Sequence, residues 1–192
     1  YHRFEENKYP STNIRNKIFI EHLKEINNLG IEFINFEKFK KIINSKIEKN
    51  YILLTIDDGF TSFYLNAWPI LKRQKIPFIL FVSTREVGKH GYMTWDQIKE
   101  IETSDLGTIG NHSHSHDYLV DWKDEEIKKD LEKSIEIFKK EMGYSPKVFS
   151  YPFGEYSLDL KKIVSDLDFK FAFGQHSGVI DPTKDFLELP RF

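Results

Sequence analysis

Two short stretches of this 192-residue chain hold residue types that together suit hydrolytic chemistry. The first is Thr55-Ile56-Asp57-Asp58-Gly59, where an apolar run over 51–56 ends in two adjacent carboxylates and a glycine. The run has the composition of a buried strand. In α/β proteins the reactive side chains collect just beyond the carboxyl ends of strands. Two neighbouring acids repel each other, so a cation, hydrogen bonds or a shared proton must compensate them. Asp-Gly is also an ordinary turn signal, and taken alone the pair reads equally well as a hairpin turn.

The second stretch, Asn111-His112-Ser113-His114-Ser115-His116, shifts that balance, because three of the seven histidines fall within five positions. It follows another strand-like run over 106–110. On a helical turn, the four-residue spacing puts His112 and His116 on one face, about 5–6 Å apart at Cβ, with His114 pointing elsewhere. Two imidazoles on one face suit one metal ion, and a carboxylate is the usual third protein ligand. Such a set leaves positions open for water and substrate. The acid pair then offers one aspartate to bind the metal and one to handle protons.

These residues need a scaffold, and strands alternate with helices along the whole chain. A short strand over 1–4 opens it. Thr12 or Asn13 is placed to cap a helix running to 29 and ended by Gly30, followed by a strand over 31–34. A helix over 36–46 should turn Phe39, Ile42 and Ile43 inward. The strand over 51–56 delivers the acids, and a helix over 60–74 follows, kinked at Pro69. The run over 77–83 is apolar enough for an interior parallel strand. Thr94-Trp95-Asp96-Gln97 has the capping-box pattern. The longest helix is expected over 124–142, with Ile127, Leu131, Ile135, Phe138 and Met142 inward, Lys and Glu outward, and Gly143 ending it. Strand, helix, strand and a last strand fragment are read over 148–151, 158–167, 169–173 and 187–192. No linker or repeat interrupts this order, so one domain over 1–192 is expected. The alternation calls for a parallel sheet covered by helices. The pattern alone does not choose between a barrel and a doubly wound open sheet.

Composition removes several classes of function. The net charge of −2 gives no general attraction to nucleic acid or to an anionic membrane. With 40% hydrophobic and 30% charged residues the chain is globular rather than disordered. It has no cysteine, which excludes disulfides and thiolate metal sites. No apolar run is long enough for a transmembrane helix, and no signal peptide is visible in a chain that opens at Tyr1. The 17 Phe, 9 Tyr and 3 Trp are mostly core material, but a surplus of rings also suits a groove that stacks sugars.

The first motif resembles the T-F-D-D-G of NodB-type polysaccharide deacetylases (carbohydrate esterase family 4), and the second resembles their H-S/T-x-x-H. Ser150-Tyr151-Pro152-Phe153-Gly154 sits where that family has R-x-P-Y/F-G. The resemblance covers nearly the whole chain. It implies a distorted (β/α) barrel with about seven parallel strands, fewer than the eight of a full barrel. It assigns Asp57 as general base and Asp58, His112 and His116 as ligands of a divalent metal, zinc foremost, with cobalt, nickel or manganese compatible. It also implies an N-acetylated polysaccharide as partner, acetate as product and an extracytoplasmic location. Tyr151 and Phe153 would lie on the substrate and oxyanion side, and Tyr1-His2 looks like a segment that brings His2 near the site.

Two features depart from the family. Its arginine is Ser150 here, and Arg191, in Leu189-Pro190-Arg191-Phe192, is the substitute cation. An exopolysaccharide-directed branch is similar in carrying Y-P-F/Y-G at this point. The family's L-x-H histidine is also missing, which leaves His176, between Gly174 and Gly178, as the candidate general acid. These departures keep two other readings open: a degenerate sugar- or metal-binding module, and a hydrolase of a small non-sugar amide.

Overall fold

The computed structural model describes residues 1–45 and 49–192. The C-terminal end expected for the 36–46 helix lies outside the described residues. In chain order the elements are β1 (Arg3–Phe4), β2 (Asn13–Ile14), α1 (Asn16–Asn28), β3 (Glu32–Phe33), α2 (Phe36–Ile42), β4 (Tyr51–Ile52), β5 (Leu54–Ile56), α3 (Trp68–Gln74) and β6 (Phe78–Val82). There follow α4 (Trp95–Glu102), β7 (Gly107–Asn111), α5 (Asp124–Met142), β8 (Val148–Ser150), α6 (Leu158–Asp166) and β9 (Phe171–Phe173).

One parallel sheet runs in the order β5-β6-β7-β8-β9. Among the described residues five strands join it, not seven. The remaining strands are two residues each and pair only as β1 with β2 and β3 with β4. The run over 51–56 accounts for part of the difference, because it is split at Leu53. Tyr51 and Ile52 pair with β3, while Leu54, Thr55 and Ile56 pair with Phe78, Ile79 and Leu80. The fragment over 187–192 contributes one parallel bridge, Leu189 to Phe173.

Other local differences have identifiable causes. Neither Thr12 nor Asn13 caps α1. The Asn13 carboxamide instead accepts from the Glu6 N–H and donates to the Glu6 carbonyl, both at 2.9 Å, closing the loop before the helix. The helix over 60–74 opens as a widened π-turn, Phe63–Ala67, and becomes α3 at Trp68. Pro69 sits in the first turn of α3, where its missing N–H is tolerated. Elsewhere the local signals hold. Thr94 and Gln97 form the reciprocal capping box of α4, and α5 ends at Gly143 in the left-handed conformation.

By packing, the chain divides into two compact units, residues 1–80 with 88–109 and residues 81–87 with 110–192. The first is centred on rings: Phe4 lies 5.0 Å from Phe19 and 5.8 Å from Phe63, and Phe63 lies 5.3 Å from Phe78. The second packs Ile127 and Leu131 of α5 and Leu160 and Val164 of α6 against Phe149, Tyr151 and Ala172. Strand β6 is buried along its whole length, as an interior parallel strand must be. No helix among the described residues is long and apolar enough to cross a membrane.

Gly110 shows how tightly the approach to the histidine motif is packed. A Cβ there would lie 2.4 Å from Cδ1 of Phe81 and 3.2 Å from Cγ1 of Val148. Both neighbours are core side chains with no open space to retreat into. Gly110→Ala should therefore overpack the sheet and lower the unfolding free energy by about 1–3 kcal/mol, measured by denaturant titration.

Candidate metal centre and acid pair

Strand β5 carries the acids to its carboxyl end. Asp57 is buried, and its N–H donates to the Tyr1 carbonyl at 2.9 Å. The backbone then turns left-handed at Asp58 (φ 76) and Gly59 (φ 74). This is not a hairpin, since the next strand, β6, runs parallel to β5. The turn is fixed from outside: the Gly59 carbonyl accepts from the Met93 N–H at 2.9 Å, and Phe60 bridges Tyr92. The Arg3 guanidinium covers the Phe60 ring at 3.5 Å. On the neighbouring N-terminal segment, His2 Nε2 stands 4.0 Å from Asp57 Oδ2.

Strand β7 delivers the histidines, but the segment after it is a turn rather than the helical turn that the spacing suggested. Ser113 (φ 67) and His116 (φ 57) are both left-handed, and this double reversal, not a helix face, brings the imidazoles together. The rings of His112 and His116 are 4.8 Å apart, at 69° to one another. Each non-glycine residue in such backbone costs on the order of 1–3 kcal/mol, so the turn needs support. The Ser113 hydroxyl accepts from the His116 N–H at 3.0 Å. The Arg85 side chain donates to the Ser115 carbonyl at 2.7 Å. Asp130 on α5 accepts from two consecutive N–H groups, His114 at 2.8 Å and Ser115 at 2.9 Å.

His112 is buried, and its Nδ1 lies 2.7 Å from the Ser150 carbonyl at the end of β8. A carbonyl only accepts, so Nδ1 carries a proton, and Nε2 is the ring nitrogen left to face a metal. This is the outer-shell arrangement that orients a metal-binding imidazole. His114, by contrast, pairs through Nδ1 with the Thr84 hydroxyl at 2.8 Å. One ligand atom from each of Asp58, His112 and His116 falls in a group whose members all lie within 4.8 Å of one another. Two neutral imidazoles and one carboxylate suit zinc and its first-row neighbours.

The other sequence-derived candidates are placed as follows. Tyr151 is fully buried, its hydroxyl donates to the Leu187 carbonyl at 2.9 Å, and burial pushes that hydroxyl far above the usual phenol range. Phe153 is left-handed (φ 58) and 54% exposed, with its ring 5.1 Å from His116 and 5.7 Å from Tyr118. The Arg191 guanidinium reaches the Ser150 side chain. It donates to the Ser150 hydroxyl at 3.1 Å and to the Gly174 carbonyl at 2.8 Å. His176 is exposed, its ring 6.3 Å from Tyr156.

Asp130 escaped the sequence reading, which took the charges of α5 for a solvated face. The signal was present. Position 130 lies on the same helical face as Ile127, Leu131, Ser134 and Phe138, all buried. An acid on that face must find buried donors.

The ring assignment is directly measurable. Nitrogen-15 NMR of the metal-free protein should show His112 protonated at Nδ1, with that proton hydrogen-bonded.

Comparison with known proteins agrees with this geometry. The profile of the polysaccharide deacetylase family matches residues 44–172. A poly-beta-1,6-N-acetyl-D-glucosamine N-deacetylase of Staphylococcus aureus is 27% identical over 173 residues, covering 83% of this chain and 58% of that protein. The chain thus spans little more than half the length of that relative. Among solved structures, IcaB from Ammonifex degensii matches with a TM-score of 0.90 at 26% identity, over 100% of this chain and 88% of that one. The Streptococcus pyogenes deacetylase PplD, in complex with acetate, shares the fold with a TM-score of 0.89 at 22% identity, over 100% and 88%. With a family match that includes both the acid pair and the histidine turn, the chain belongs to the NodB-type polysaccharide deacetylases, carbohydrate esterase family 4.

Proposed function

We propose that this chain is a metal-dependent N-deacetylase of N-acetylglucosamine-containing polysaccharide. It would hydrolyse the acetamide to acetate and a free amine on the sugar, outside the cytoplasm. The observation that carries the reading is the Asp58, His112 and His116 group, with a second, buried carboxylate, Asp57, beside it in the chain. A passive metal site does not need that second acid. The S. aureus relative, named for N-deacetylation of a poly-N-acetylglucosamine, supports the substrate class.

Asp58, His112 and His116 would hold the ion, most simply zinc. When bound there it would supply Lewis acidity, polarising the acetyl carbonyl and acidifying water. Asp57 takes a proton from the attacking water, whose oxygen bonds to the acetyl carbon. The N–H of Phe153, on its left-handed turn, is assigned to the oxyanion that develops. The carbon–nitrogen bond then breaks, and the leaving nitrogen takes up a proton to become the amine. Two imidazoles are offered as its donor: His176, and His2, which stands 4.0 Å from the Asp57 carboxylate. Arg191 takes the place of the family's arginine by bonding to the Ser150 hydroxyl. The exposed Phe153 and Tyr118 rings add aromatic surface of the kind that stacks on sugars.

Acetate release from N-acetylglucosamine oligomers, in the presence of zinc or cobalt, tests the proposal. Chelator should abolish release and added metal restore it. Asp57→Asn should keep stoichiometric metal and lose about 10²–10⁴-fold in kcat, the usual contribution of a general base. His112→Ala should lose the metal itself. Asp57→Asn retaining full turnover would sink the mechanism. Metal bound without release from any oligomer would favour the binding module, and release from small acetamides alone would favour the small-amide hydrolase.

A further inference from the structure

We propose that Asp130 is a positioning residue that sets the separation of His112 and His116 by clamping the backbone between them. The inference rests on the metal reading above. Asp130 is 7% exposed on the inner face of α5, where a carboxylate persists only if its oxygens are bonded. Its two oxygens take one N–H each, from His114 and Ser115, the second and third of the residues between His112 and His116. The clamped pair is flanked by the two left-handed residues of the turn, Ser113 and His116. Release of the clamp would leave two N–H groups unpaired and remove the bonds that tie that backbone to α5, while those from Thr84, Arg85 and the Ser113 hydroxyl remain. The turn would then relax. His112, anchored separately to the Ser150 carbonyl, would stay, while His116 would move. Asp130 thus acts on the ligand geometry through the backbone and touches neither imidazole.

A carboxylate is required rather than any polar group, because both partners are donors. An asparagine presents one acceptor and one donor, so Asp130→Asn keeps the shape of the side chain and loses one bond of the two. Ser134 lies one turn along the same buried face and makes no hydrogen bond to the turn among the described residues. Ser134→Ala therefore controls for general disturbance of α5.

The test is binding of Co2+ to the metal-free chain, by competition with a chelating dye, together with the visible absorption of bound cobalt. No turnover is needed. Asp130→Ala should weaken Co2+ binding about 10–100-fold, the range for removing an outer-shell partner, and should alter the cobalt spectrum. Asp130→Asn should weaken it less, and Ser134→Ala should leave affinity and spectrum at wild type. If Asp130→Ala fails to fold, Asp130→Asn decides. Folded Asp130→Asn with wild-type affinity and spectrum would overturn the inference, as would an equal loss in Ser134→Ala. A wild-type chain that binds no Co2+ would overturn the metal reading itself, and the clamp would fall with it.

Discussion

Left-handed backbone at the ends of strands is the constraint on which this site depends. Asp58 follows β5, Ser113 and His116 follow β7, and Phe153 follows β8, with φ of 76, 67, 57 and 58. Glycine would relieve each turn and remove the side chain with it. The carboxylate, the imidazole and the aromatic ring must stand where the chain reverses, because only there do they leave the packed sheet. The cost is on the order of 1–3 kcal/mol per residue, least for Asp58, since a short polar side chain tolerates this conformation best.

Hydrogen bonds of the right magnitude stand opposite that strain. A bond to a charged group contributes about 1.5–3 kcal/mol and a neutral one about 0.5–1.5. The histidine turn has two bonds to the Asp130 carboxylate, one to the Ser113 hydroxyl and one from the Arg85 side chain, besides the Thr84 and Arg85 N–H groups on its carbonyls, and these more than offset two strained residues. The Phe153 turn is held differently. The Gly154 N–H donates to the Tyr151 carbonyl at 2.8 Å, and the Tyr151 hydroxyl ties the end of β8 to Leu187. Each turn thus depends on a residue far away in sequence, and this restrains the His112–His116 separation more firmly than local propensity could.

That dependence explains what was legible in the sequence. The helices α4, α5 and α6 were visible because periodicity and caps are local signals, and the longest, α5, was read to its terminal residues. The acid pair and the histidine pair were visible because chemistry needs those residue types together. The geometry of the histidine pair was not. A four-residue spacing implies proximity in a helix, but here proximity comes from a turn held by bonds from Asp130, Ser113, Thr84 and Arg85. Asp130 itself was hidden among the many charges of α5, distinguishable only by its phase. The break at Leu53 was equally hidden, since an unbroken apolar run cannot show that its two halves pair with different strands.

Ser150 and Arg191 carry the argument one step further. Read along the chain, serine in place of the family's arginine is a loss, and it favours a degenerate protein. In the folded chain the Ser150 hydroxyl accepts from a guanidinium that arrives from a residue 41 positions later. That guanidinium is itself fixed, its Nε on the Gly174 carbonyl and its backbone N–H on the His176 carbonyl at 3.0 Å. Serine is then the residue that fits, because a second long cation at 150 would crowd the first and repel it. The cation beside position 150 comes from another segment of the chain, which a motif read along the sequence does not record. The segment over 174–191 is thus tied to the end of β8 through Arg191, a link that the cation in Leu189-Pro190-Arg191-Phe192 suggests but only the folded chain displays.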